Sequence, residues 1–79
     1  MKYYVQMFYE YWNCEQELDE PQIIDKEEFN QEAVNEWLDI YFRDCEVKEE
    51  EKEYYGFILW DDEFNRDEFN RIDKLFYKK

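Results

Sequence analysis

The stretch KEEFNQEAVNEWLDIYF, residues 26–42, carries the clearest periodicity in a chain of 79 residues. Its apolar positions are Phe29, Ala33, Val34, Trp37, Leu38, Tyr41 and Phe42, the i, i+4, i+5, i+8, i+9 recurrence of one helical face. Asp25 followed three residues later by Glu28 reads as a capping box with Asp in place of Ser or Thr, which predicts a helix starting at Lys26. On either side the period changes. Residues 1–12 alternate, with Met1, Tyr3, Val5, Met7, Tyr9 and Tyr11 on one face and Lys2, Tyr4, Gln6, Phe8, Glu10 and Trp12 on the other, as in a strand.

Residues 43–48 return to alternation through Cys45 and Val47, and residues 53–60 are a run of aromatic and branched side chains. Two further strands are predicted there, joined by a charged hairpin loop at residues 49–52. Residues 13–24 hold Pro21 and the acids Glu15, Glu17, Asp19 and Glu20, and predict a loop with a brief extended piece at Ile23 and Ile24. Phe69, Ile72, Leu75 and Phe76 have helical spacing. They predict a second helix, capped by Asn65 or Asp67 and ending in Lys74, Lys78 and Lys79, where the helix dipole favours cations. Residues 62–66 are repeated at 67–71, too short a unit for a solenoid and a source of ambiguity about where that helix starts. The expectation is a single acidic α+β domain over residues 1–79, with a small antiparallel sheet of about three strands and two helices in the order β-α-β-β-α.

Composition narrows the function. There are 23 acids against 10 bases, a net charge of −13, and a mean hydropathy of −1.11. Such a surface repels nucleic acid and anionic membrane, and a basic protein is the better-matched partner. Leu, Ile, Val and Phe with eight Tyr and three Trp supply enough apolar area for folding rather than disorder. No His, Ser or Thr occurs and Gly56 is the one glycine, which removes Ser-His and Cys-His sites and any phosphate-cradling glycine loop. Neither an enzyme nor a cofactor is expected. Cys14 and Cys45 lie too far apart for a zinc or CxxC motif and are read as reduced, partly buried thiols. No spaced calcium loop is present, so no metal site is expected. Without a leader-like start or an apolar run of spanning length, the chain is placed in the cytoplasm.

The acids are patterned. Glu28, Glu32, Glu36 and Asp39 follow i, i+4, i+8, i+11 on the predicted helix, a row with no cation between Lys26 and Arg43. Neighbouring Cβ atoms in such a row are about 5–6 Å apart, of the same order as successive phosphates along a nucleic-acid strand. Glu49, Glu50, Glu51 and Glu53 form a second patch. Residues 1–65 carry a net −15, whereas residues 66–79 carry +2; the main reading of that tail is cations stabilising a helix end, the alternatives being that it folds back to neutralise the body or reaches a separate acidic surface.

In size, acidity and mixed α/β pattern the chain resembles the small acidic inhibitors of phages and mobile elements, particularly anti-CRISPR proteins and, more broadly, DNA-mimic anti-restriction proteins. That resemblance implies occupation of a basic nucleic-acid channel in a CRISPR effector by carboxylates standing in for phosphates. The alternatives are an immunity protein or antitoxin that neutralises a basic nuclease or toxin, and a small assembly protein that oligomerises, as a homodimer or larger, through exposed aromatics.

Overall fold

In a computed structural model that describes residues 2–61 and 70–78, the alternating start becomes β1, Tyr3–Tyr11. The chain reverses at Trp12 and Asn13, whose φ angles of 55° and 63° are those of a two-residue primed turn. It returns along the same edge as β2, Cys14–Glu17, and β3, Gln22–Ile24. The pairing runs Tyr11 with Cys14 to Phe8 with Glu17, then Val5 with Gln22 to Tyr3 with Ile24. Residues 18–21 therefore stand opposite Gln6 and Met7 alone, and the edge is one strand broken by a wide bulge. Gln6, 5% exposed, holds that bulge: its Nε2 donates to the Asp19 carbonyl at 2.9 Å and its Oε1 accepts from the Trp60 indole at 3.2 Å. Pro21 lies in the interruption, where no ladder donor is needed. The short extended piece at Ile23 and Ile24 is thus present, but the loop expected over residues 13–24 is largely sheet.

The helix α1 is Gln31–Cys45, not a helix from Lys26. Asn30 caps it, its side chain accepting from the Ala33 amide at 2.9 Å, while Asp25 makes no side-chain cap and Lys26–Glu28 is a lone 3-10 turn. The rotation per residue gives the reason. Carried back along α1 at about 100° per residue, Phe29 would point away from the buried stripe of Val34, Leu38 and Phe42. Breaking the helix at Phe29 lets that ring pack against the core. At the other end Glu46 adopts the left-handed conformation, φ 52°, and its amide donates to the Phe42 carbonyl. Val47 then folds back onto the core, so the strand expected at residues 43–48 is a helix end and its cap.

Glu49–Tyr54 forms a 3-10 helix rather than a hairpin loop. It leads into β4, Tyr55–Trp60, within the strand expected at residues 53–60. The second helix is replaced by β5, Arg71–Phe76. Its Ile72, Leu75 and Phe76 have helical spacing, but as a strand Leu75 turns toward α1 while Lys74 and Phe76 face the other way. The repeat and the expected caps at Asn65 and Asp67 fall largely in residues 62–69, outside the described residues.

The result is an α+β fold around one antiparallel sheet of five strands, in the order β2-β1-β4-β5 with β3 beside the start of β1. Strand number and order both differ from the sequence expectation, because residues 14–17, 22–24 and 71–76 add strands that local patterning did not separate from loop and helix, while residues 43–48 form none. On one face α1 buries Val34 and Leu38 completely, with Met7, Phe42 and Tyr77. Each such aliphatic side chain contributes about 1.5–3 kcal/mol. On the other face Phe8, Ile58 and Trp60 form a second cluster. Gly56 makes room for it: a Cβ there would lie 2.3 Å from the Leu75 carbonyl oxygen and 2.6 Å from the Phe8 ring.

Candidate functional site

The acidic row expected on the helix is only partly assembled. Glu28 sits on the separate 3-10 turn before Phe29 and is no part of α1. Glu32 and Glu36 lie exposed on the outer side of α1, opposite Val34 and Leu38. Asp39 is also exposed but is already engaged, since its Oδ1 accepts from the Tyr77 hydroxyl at 2.7 Å. Burial of Tyr77, and next the Asp39 carboxylate that accepts its proton, push that hydroxyl's pKa up to about 12.

Asp39 belongs to a different row, Gln31, Asn35 and Asp39, at i, i+4, i+8. Gln31 Nε2 donates to the Phe76 carbonyl at 2.7 Å, and the Asn35 amide group both accepts from the Lys78 amide at 3.0 Å and donates to the Lys78 carbonyl. These three side chains clasp the segment that leaves β5 against α1. The spacing was available in the sequence, but amides and an acid among so many acids look like solvated surface.

The second patch rides on the 3-10 helix. There residues three apart eclipse: Glu49 pairs with Lys52 at 2.9 Å, and Glu50 and Glu53 share an exposed side. Glu51 is half-buried. Lys52 lies between Asp39 of α1 and Glu49 and Glu53 of the 3-10 helix. It lines one shallow groove with Asp39, Phe42 and Arg43 and another with Glu49, Glu53, Tyr77 and Lys78.

A third charged group follows the alternative in which the basic tail folds back on the body, with partners the sequence did not name. Glu15 of β2 binds Arg71 at 2.8 Å and Lys74 at 2.9 Å on β5, and Lys74 also binds Glu10 of β1 at 2.8 Å. Burial alone would raise the Glu15 carboxyl, but the hydrogen bonds and charges of Arg71 and Lys74 outweigh it and hold its pKa below the ordinary value. Lys74 Nζ stands 4.8 Å from the Phe8 ring centroid and 5.2 Å from that of Phe76, and the Arg71 guanidinium stands 5.2 Å from the Trp60 ring. Arg71 and Lys74 of the basic tail therefore neutralise carboxylates of the body from a strand; they do not stabilise a helix end. No short-range signal could reveal this, because the partners are 56 to 64 residues apart.

Removing Arg71 and Lys74 from circulation leaves the outer surface more one-sided than the net charge suggests. Glu28, Glu32, Glu36 and Glu50 form no ion pair among the described residues. Cys14 and Cys45 are free thiols, exposed rather than partly buried. No three Cys, Asp or Glu side chains converge to hold a metal among the described residues. No helix there is long and apolar enough to cross a membrane. Comparison with protein-family models, with curated proteins and with solved structures finds no match to this chain.

Proposed function

We propose that this protein is a non-enzymatic inhibitor that binds a basic nucleic-acid-binding protein, foremost a CRISPR effector, by presenting carboxylates in place of phosphates. The supporting observation is the exposed pair Glu32 and Glu36 on α1, together with exposed Glu50 and Glu53 on the 3-10 helix, on a molecule whose Arg71 and Lys74 are spent on internal pairs. Successive acids one helical turn apart cost a helix a few tenths of a kcal/mol per pair, about 0.2–0.5. The outer side of α1 carries that cost without an intervening cation, which a merely solvated face would have no need to do.

Capture from nuclease-treated bacterial lysates carrying CRISPR systems tests the reading. A basic nucleic-acid-binding effector should be retained, elute as salt rises, and be displaced by added DNA. Glu32→Lys with Glu36→Lys should weaken that binding about tenfold or more while the circular dichroism spectrum is unchanged. A retained partner that DNA cannot displace would shift the assignment to toxin neutralisation. Recovery of the protein alone, as a large salt-insensitive oligomer, would shift it to an assembly role.

A further inference from the structure

The β1–β2 turn holds a bulky ring where the backbone resists it. A left-handed conformation suits Asn13, whereas for Trp12 at φ 55° it is strained. Trp12 is nevertheless 80% exposed, so burial does not offset that strain in the isolated chain. Below it runs a series of edge-to-face contacts. Trp12 meets Tyr11 at 5.9 Å between centroids, Tyr11 meets Tyr54 at 5.1 Å, Tyr54 meets Tyr9 at 6.1 Å, and Tyr9 meets Tyr55 at 5.0 Å, which rests on Phe42 of the core. The exposed rings are thus braced from the interior and lose little freedom on binding a partner.

Tyr9, Tyr11 and Tyr54 also wall a groove of about 410 Å³ whose remaining lining is Glu50 and Glu51. On the other side of Tyr11 and Tyr54 a second groove is lined by Glu10, Trp12, Asn13 and Phe76. There the carboxylate is already engaged, since Glu10 holds Lys74. In the first groove no cation is among the lining residues, and rings combine with carboxylates. Aromatic faces attract cations through their quadrupole. A guanidinium suits the site better than an ammonium, because it is planar, weakly hydrated, stacks on rings and meets a carboxylate with two parallel hydrogen bonds.

We propose that the groove of Tyr9, Tyr11, Tyr54, Glu50 and Glu51 receives one arginine side chain of the basic partner, with Trp12 packing on the surface around it. This rests on the reading of a basic partner given above, and adds where and by which side chain that partner is gripped.

The test is a titration of the ¹⁵N-labelled protein with N-acetyl-arginine amide, and in parallel with N-acetyl-lysine amide. Saturable shifts at Tyr11, Tyr54 and the Trp12 indole, tighter for the arginine probe, are expected. Glu50→Gln with Glu51→Gln should weaken the arginine response about threefold, and Glu20→Gln with Asp25→Asn, at exposed acids away from the groove, should leave it unchanged. Equal, non-saturating responses to both probes, or shifts centred on the outer side of α1, would overturn the inference. Captured effector that DNA displaces but that binds the Glu50→Gln, Glu51→Gln protein undiminished would overturn it too, while leaving the proposed function standing. A saturating arginine response with no basic partner captured would do the reverse.

Discussion

On one face of the sheet α1 lays Val34, Leu38 and Phe42 over Met7 and Tyr77; on the other no helix lies among the described residues, yet Phe8 and Ile58 are as fully buried as Val34. The second face is covered by Tyr4 and Phe76 and, over Phe8 and Trp60, by the long side chains of Lys74 and Arg71, held down by Glu10 and Glu15. In a flat sheet β2 and β5 would stand three strand spacings apart, about 14 Å. Glu15 meets both cations because the sheet curls and the side chains are long. Aliphatic stems of Lys and Arg shield apolar surface while their charged heads stay at the surface. A very acidic chain thus uses scarce cations twice, as cover and as counter-charge, and so frees its other carboxylates to face outward.

The two faces should be equally indispensable. Phe42→Ala and Phe8→Ala are each expected to cost about 3–5 kcal/mol in denaturant unfolding, since both rings are enclosed. A much smaller loss for Phe8→Ala would mean that the charged cover excludes water less well than the helix. Lys74→Ala should cost about 1–2 kcal/mol, both because Phe8 and Phe76 lose their shielding and because Glu10 and Glu15 lose a shared cation. Lys74→Met restores the shielding alone, so the difference between these variants separates the contributions.

Titration sharpens the contrast further. The Glu15 pKa is depressed on folding, so its stabilisation is present above its ordinary value of 4.5 and is lost as pH falls through the folded value. Glu15→Gln should flatten that acid limb. The Lys74 pKa is raised: burial opposes the charge, but hydrogen bonds to Glu10 and Glu15 prevail, and its contribution holds below 10.5 and fades as pH rises through the folded value. On the helix-covered face Tyr77 behaves likewise, its contribution present below pH 10.0 and lost as pH rises toward about 12. Tyr77→Phe should remove that alkaline loss and cost about 1 kcal/mol at neutral pH through the missing hydrogen bond to Asp39. Unfolding midpoints measured from pH 3 to 11 for the parent and both variants check these signs.

The smallest expected effect is a gain. Trp12→Asn relieves the left-handed tryptophan and should raise stability by about 0.5 kcal/mol, with weaker binding of a basic partner. An unchanged or lowered melting temperature would show that the ring contact with Tyr11 outweighs the backbone strain.

Much of the frame was legible in the residues. The alternation of residues 3–11, the buried stripe of α1 and the run that became β4 all follow from periods spanning a few neighbours. Exposure of Glu32, Glu36, Glu50 and Glu53 also follows, because a carboxylate without a fixed partner stays in water. Where sequence reasoning failed, the deciding contact lay far along the chain. Phe29 ended the helix to reach the core, stranding Glu28; Tyr77 claimed Asp39; and Ile72, Leu75 and Phe76 became a strand because β4 offered an open edge.

By itself, then, the sequence determined the acidic balance, the absence of His, Ser and Thr, the helix with its apolar stripe and the first strand. The tertiary structure alone decided which acids are claimed by partners, where the few cations go and how the rings of Tyr9, Tyr11 and Tyr54 wall the groove beside Glu50 and Glu51. Local periodicity is set by residues three or four positions apart. Ion pairs such as Glu15 with Arg71 exist only once the sheet has closed around its own core.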